Sequence, residues 1–181
     1  VADTINLNQG ASLGSTAGSN GSIYVAGTAI NILGLINSSG ATGSGGSTSG
    51  GATGAGNTRR RNGVDSGLNS DSEIYVSNGG NILILAANDI NVSANASLAA
   101  NGVNGGNIVV ASQNGSVSIS GAVDAVGVNG HGGNIFIAGQ NRTSLTGALI
   151  SVNGLNQGGL IQVGIVNNIR GSAWTLAPPA V

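Results

Sequence analysis

The sequence predicts one all-β domain, a right-handed parallel β-helix with three short strands and about 26 residues per coil. Three observations carry that expectation. Gly-Gly pairs recur at Gly79-Gly80, Gly105-Gly106, Gly132-Gly133 and Gly158-Gly159, with start-to-start spacings of 26, 27 and 26 residues. Each pair is followed by apolar residues two apart: Ile82 and Ile84, Ile108 and Val110, Ile135 and Ile137, Ile161 and Val163. Two is the period of a strand with one buried face. The third observation is composition. With 34 Gly, 24 Asn and only 2 % aromatic residues in 181, a core must be assembled from Ile, Leu, Val and Ala by repetition, since no large aromatic cluster is available. Gly does not recur at every third position, which excludes collagen, and 40 % hydrophobic residues in alternating runs argue against plain disorder.

Taken in chain order, Ile5-Asn6-Leu7 and Ala11-Ser12-Leu13 read like Ile90-Asn91-Val92 and Ala96-Ser97-Leu98, at a constant offset of 85 residues. The stretch Asn20 to Ala26 parallels Gly105 to Ala111 at the same offset. The pattern then stops from Ser38 to Ser72, a segment rich in Gly, Ser and Thr that carries Arg59-Arg60-Arg61, and Ile74 and Val76 are expected to re-enter the coil. At roughly 35 residues this insertion, 38–72, is far longer than ordinary connections. After it, Ile90 with Val92 and Val117 with Ile119 form second strands, and Leu98, Val123 with Ala125, and Ile150 with Val152 mark third ones. Five to six coils thus cover 1–181 as a single domain with the insertion inside it. A single such unit cannot bury its apolar face. Coiling pairs each strand in parallel with its equivalent one turn on, about 4.8 Å away, and closes the aliphatic side chains into a column. Parallel crossovers are overwhelmingly right-handed, which sets the expected hand. Helices are not expected, because Gly, Ser, Asn and Val fill most windows and no helical apolar stripe runs for a useful length.

Asparagine repeats with the same period. Asn88, Asn114, Asn141 and Asn167 each stand eight residues after the second Gly of a pair, and Asn81, Asn107 and Asn134 stand one residue after it, with Leu160 in the last repeat. Side-chain amides stacked at coil spacing can donate and accept along the axis, so both sets are expected to form ladders. The plainer alternative is that Asn is a tolerant turn residue able to adopt positive φ.

The runs Gly106-Asn107-Ile108-Val109-Val110-Ala111-Ser112 and Gly133-Asn134-Ile135-Phe136-Ile137-Ala138-Gly139, with Ile-Asn-Val-Ser strands such as Ile90 to Ser93, resemble the repeat region of filamentous-haemagglutinin-type exoproteins. The resemblance implies a β-helical adhesin exported by two-partner secretion or a related route. That family's Asn-Pro-containing secretion motif does not occur, the only prolines being Pro178 and Pro179. The match is therefore to the shaft of such a protein.

Other functional classes find little support. A net charge of −1 gives no general attraction for nucleic acid or an anionic membrane, and no apolar run approaches a membrane span. The absence of Cys removes disulfides, zinc thiolates and thiol catalysis. The chain opens Val1-Ala2-Asp3, without the basic start and apolar middle of a signal peptide, and is expected to be a processed product or an excerpt of a longer polypeptide. β-helices also host polysaccharide lyases and hydrolases, which need clustered carboxylates or a basic proton acceptor. Here Asp3, Asp65, Asp71, Glu73, Asp89 and Asp124 are scattered and Lys is absent, so no enzyme and no cofactor is expected. The single histidine, His131, reads as a solvated turn residue, and the calcium-binding Gly-Gly-x-Gly-x-Asp nonapeptide is missing.

Three features remain as candidate contacts. Arg59, Arg60 and Arg61 offer a site for an anionic or carboxylated glycan or an acidic neighbour, balanced by nearby Asp65, Asp71 and Glu73. Tyr24 and Tyr75 each lie between inward residues and should face outward. Trp174, before Pro178-Pro179, is placed to cover an open end of the column or a junction. The sequence therefore predicts a non-catalytic structural protein, outside the cell or on its surface in a Gram-negative bacterium. It would be an adhesin shaft segment or a filament subunit that self-associates end to end. The alternative is a glycan- or receptor-binding module working through the insertion.

Overall fold

The computed structural model describes residues 2–15, 21–43, 74–75 and 77–165. Among these residues there is no helix, and strands stack coil upon coil as a parallel β-solenoid. The first coil contributes β1 (Ala2–Leu7) and β2 (Ser12–Gly14), and the second β3 (Ser22–Ile32) and β4 (Leu35–Asn37). A short pair, β5 (Thr42–Gly43) and β6 (Ile74–Tyr75), stands where the insertion departs. The third coil is β7 (Asn81–Ala86), β8 (Ile90–Val92) and β9 (Ser97–Ala99); the fourth is β10 (Asn107–Ser112), β11 (Ser116–Ile119) and β12 (Ala122–Asp124). β13 (Asn134–Gly139), β14 (Arg142–Leu145) and β15 (Leu149–Ser151) make the fifth, and β16 (Leu160–Ile165) opens a sixth.

Three walls result. β3, β7, β10, β13 and β16 build the first, with Ile82 beside Ile108, Ile108 beside Ile135 and Ile135 beside Ile161. β1, the second half of β3, β8, β11 and β14 build another. The third is the five-stranded sheet β2, β4, β9, β12 and β15. β3 bends through the corner between the first two walls without a break, whereas later coils break there. Its corner spans three residue steps, Gly27 to Ile30, where the partner residues Ala86 to Ile90 span four and Ser112 to Val117 five. The added residues bulge out of the ladder and end the strand.

Each wall turns alternate residues inward. In the fourth coil Ile108, Val110, Val117, Ile119, Val123 and Ala125 are all fully buried, supplied with contacts from the coils on both sides. Among the described residues two polar side chains share this interior and both are satisfied, as buried polar groups must be. The Ser112 hydroxyl donates to the Asn88 carbonyl and accepts from the Gly115 N–H, and Ser38 Oγ donates to the Gly21 carbonyl at 2.7 Å.

Ser38 also revises the expected start of the insertion. The coil does not stop there: Ser38 N–H donates to Ala99 O at 2.8 Å, Gly40 N–H to Asn101 O at 2.7 Å, and Ala41 N–H to Ser77 Oγ at 2.7 Å. Backbone pairing thus continues past the point where aliphatic residues run out, which is why the sequence pattern breaks too early. Ile74 does not re-enter the coil either. It pairs antiparallel with Gly43, and Tyr75 with Thr42, closing the two ends of the insertion against each other. Val76 and residues 44–73, Arg59 to Arg61 among them, lie outside the described residues.

Candidate functional site

The glycine pairs mark the tightest part of the stack. None of the eight has a positive φ; among the described residues Gly10 and Gly147 do. Their requirement is close approach. A Cβ on Gly80 would overlap the Gly21 carbonyl, and the same collision recurs between Gly106 and Gly80, Gly133 and Gly106, and Gly159 and Gly133. In each case that carbonyl accepts the N–H that follows the pair, as in Asn81 to Gly21 at 2.9 Å and Asn134 to Gly106 at 3.0 Å. The first glycines also abut backbone, Gly79 against Ala100 and Gly132 against Val152, but Gly158 has nothing nearer than 3.9 Å.

Beside this seam runs an amide ladder. Asn81, Asn107 and Asn134 open β7, β10 and β13 in register, and each Nδ2 donates to the coil before it: Asn134 to Asn107 Oδ1 at 2.9 Å, Asn107 to Asn81 Oδ1 at 2.8 Å, Asn81 to Ser22 Oγ at 3.4 Å. All three bonds point the same way, so their dipoles add. Asn88, Asn114 and Asn141 are arranged differently. Asn141 Nδ2 donates to the Asn114 backbone carbonyl at 2.8 Å, and no amide-to-amide bond joins these three. They sit in the corner, whose unequal length between coils offsets successive side chains. Asn167 lies outside the described residues.

Two further amide contacts have no counterpart in the sequence expectations. Asn31 Nδ2 donates to Asn6 Oδ1 at 2.9 Å, and Asn104 Nδ2 to Asn78 Oδ1 at 2.8 Å. The second belongs to a column immediately before each glycine pair: Asn78, Asn104, His131, Gln157. Asn104 Oδ1 accepts from the His131 N–H at 2.9 Å, and His131 bridges in parallel to Gln157. The lone histidine is therefore a member of a polar column. Reading the residue before each pair, rather than after it, is the signal that finds these positions.

On the outer face of the first wall, one column beyond the ladder, Tyr24, Leu83, Val109, Phe136 and Gln162 stand in register. Tyr24 is 63 % exposed, as its place between inward residues requires. Among the described residues the carboxylates do not converge. Asp3 lies on β1, Asp89 at a corner with Oδ1 accepting the Ser116 N–H at 2.8 Å, and Asp124 on β12 between Ala99 and Ser151. Burial pushes the half-buried Asp124 carboxyl above its ordinary value. Among the described residues no three His, Cys, Asp or Glu side chains group to hold a metal ion. Among the described residues no helix is long and apolar enough to cross a membrane.

Apart from Tyr24, Leu33, Leu35 and Val128, the exposed large apolar residues among those described lie in the first and the last two coils. Leu145, Leu149 and Leu155 of the fifth coil and Leu160, Ile161 and Val163 of β16 are 40 to 73 % exposed, and Leu13 in the first coil is 40 % exposed. Trp174, the residue expected to cover an end, lies outside the described residues. Comparison with protein-family models, with curated proteins and with solved structures finds no match to this chain.

Proposed function

We propose that this chain is a non-catalytic structural rod that works outside the cell, as a β-helical shaft segment of a bacterial surface adhesin or as a filament subunit stacked end to end. One observation carries the reading. The aliphatic columns inside pass from coil to coil in register and reach the last described strand still in step, with Ile161 and Val163 following Ile135 and Ile137, while the amide ladder runs outside them from Asn81 to Asn134. Each added coil repeats the same contacts, so length is gained without new design. Nothing in that pattern gathers acid, base or nucleophile at one place. Electron microscopy and fibre diffraction of the native material are expected to show a continuous rod with an axial spacing near 4.8 Å. Compact particles, or turnover of a polyuronate by the purified chain, would contradict the proposal.

A second reading rests on β5 and β6. They bring the two ends of the insertion, Gly43 and Ile74, side by side. An insertion that leaves and returns at one point and carries Arg59 to Arg61 suits an anionic glycan or receptor. Replacing residues 44–73 by a short Gly-Ser link should leave the coil folded and abolish any glycan-array binding; binding that survives would exclude the insertion as the site.

A further inference from the structure

The geometry points to Asn129 as a site of spontaneous covalent modification: in the folded chain its side-chain amide converts to aspartate and isoaspartate through a succinimide ring closed by the Gly130 nitrogen. Asn is among the chemically labile residues, and Asn-Gly closes such a ring most readily because glycine puts no side chain in the way of its own nitrogen. The dipeptide occurs eight times in the sequence. Asn20 and Asn62 lie outside the described residues, and Asn153 stands in the fifth coil, the last one described at its corner. The other five, at Asn78, Asn101, Asn104, Asn114 and Asn129, are treated unequally by the fold.

In four of them the stack holds the glycine nitrogen. Gly79 N–H donates to Asn104 O at 2.9 Å, Gly102 N–H to Val126 O at 3.0 Å, Gly105 N–H to His131 O at 2.9 Å and Gly115 N–H to the Ser112 hydroxyl at 2.9 Å. A nitrogen held in this way must give up its bond and turn out of the backbone ladder before it can lose its proton and reach the preceding side chain. Three of the amides are held as well. Asn101 Oδ1 accepts from the Val126 N–H at 2.7 Å, Asn104 Oδ1 from the His131 N–H at 2.9 Å, and Asn104 Nδ2 donates to Asn78 Oδ1 at 2.8 Å.

Asn129-Gly130 differs because its corner is longer. Val128, Asn129 and Gly130 stand between Gly127 and His131, where the coil before has Val103 alone between Gly102 and Asn104. Val128 N–H takes the Gly102 carbonyl at 2.9 Å and Asn129 N–H the Val103 carbonyl at 3.2 Å, while the next carbonyl, that of Asn104, already accepts from Gly79. The coil before has no residue left to face Gly130. Among the described residues neither the Gly130 N–H nor the Asn129 side chain has a hydrogen-bond partner. Gly130 is buried and must be glycine, since a Cβ there would overlap Asn104 Oδ1, but no bond has to break to release its nitrogen. Val128 and Asn129 beside it are exposed, so water reaches the amide.

The reaction needs only water. The Gly130 nitrogen loses its proton to solvent base and bonds to Asn129 Cγ, the Cγ–Nδ2 bond breaks, and the nitrogen leaves as ammonia with a proton taken from water. A second water opens the ring at either carbonyl, giving aspartate or isoaspartate, and the chain gains one negative charge. Because Val128 to Gly130 already exceed the length that the neighbouring coil matches, the corner accommodates the additional backbone atom of isoaspartate.

The full-length folded chain is aged at mildly alkaline pH, each Asn-Gly site is followed by tandem mass spectrometry, and isoaspartate is counted by isoaspartyl methyltransferase labelling. Asn129 is expected to convert at least about tenfold faster than Asn78, Asn101, Asn104 or Asn114, and the five rates to draw together in concentrated urea, where local protection is gone. Asn129→Asp, which mimics one product, should melt as the unmodified chain does, whereas Asn104→Asp, which loses an amide bond between two coils, should melt lower. Equal conversion of Asn129 and Asn104 in the folded chain would overturn the assignment, and so would a preference for Asn129 that persists undiminished in urea. A loss of melting temperature in Asn129→Asp as large as that in Asn104→Asp would show that the corner is held as tightly as the others, and would overturn it too.

Discussion

Coil four and the last strand, β16, are written in nearly the same residues and sit in different surroundings. Ile108 and Val110 in β10 are fully buried, whereas Ile161 and Val163, their equivalents two coils on, are 42 % exposed. Gly105 is enclosed by the Ala125 carbonyl and the Gly133 backbone, whereas Gly158, its equivalent, has nothing nearer than 3.9 Å. Identical grammar thus yields a core in one place and a surface in the other. In a solenoid, burial belongs to the pair of neighbouring coils rather than to the coil itself.

Substitutions matched between the two regions test this directly. The largest difference should come from side-chain truncation: Ile108→Ala is expected to cost about 3–4 kcal/mol, and Ile161→Ala less than about half of that. Urea unfolding of both variants at unchanged m would read the gap; equal losses would mean that the end is as well packed as the middle. Next comes the seam. Gly105→Ala forces a methyl against the Ala125 carbonyl and the Gly133 backbone and should cost about 1–3 kcal/mol, whereas Gly158→Ala should stay within about 0.5 kcal/mol. The ladder gives a smaller contrast. Asn107→Ala removes two amide bonds and is expected to cost about 1 kcal/mol by thermal denaturation, but Asn88→Ala should fall below about 0.5 kcal/mol.

The smallest effect concerns Asp124, whose carboxyl is held above its ordinary value by burial. A raised carboxyl pKa means that the folded chain binds the proton more tightly than the unfolded one. The stability gained on protonation is therefore fully present below the ordinary value of 3.8 and is lost as pH rises through the folded-state value. Asp124→Asn should accordingly give a slightly higher Tm at neutral pH and none in acid. A gain that persists at low pH would assign the effect to something other than ionisation.

Much of the rod could be read directly from the residues. Apolar residues two apart, repeating every 26 or 27, located all three walls, and the offset of 85 placed Ile5 and Leu13 in the columns that hold Ile90 and Leu98. The continuation through Ser38 to Ala41 escaped that reading, because a coil closed by serine hydroxyls and glycine backbone leaves no hydrophobic period to detect. Nor did the sequence separate the two sets of asparagines. Asn107 opens a strand whose neighbours lie in strict register, while Asn114 sits in a corner of variable length, and only the first geometry aligns amide with amide.

The division has a physical basis. Which residues face inward follows from the period of an extended chain, a local property that each strand carries in its own residues. The role of each glycine, the pairing of each amide and the burial of each isoleucine depend on what the neighbouring coil places a few ångströms away. Repetition states that such a neighbour exists; folding brings the Gly80 carbonyl against Gly106 and leaves Ile161 at the rim.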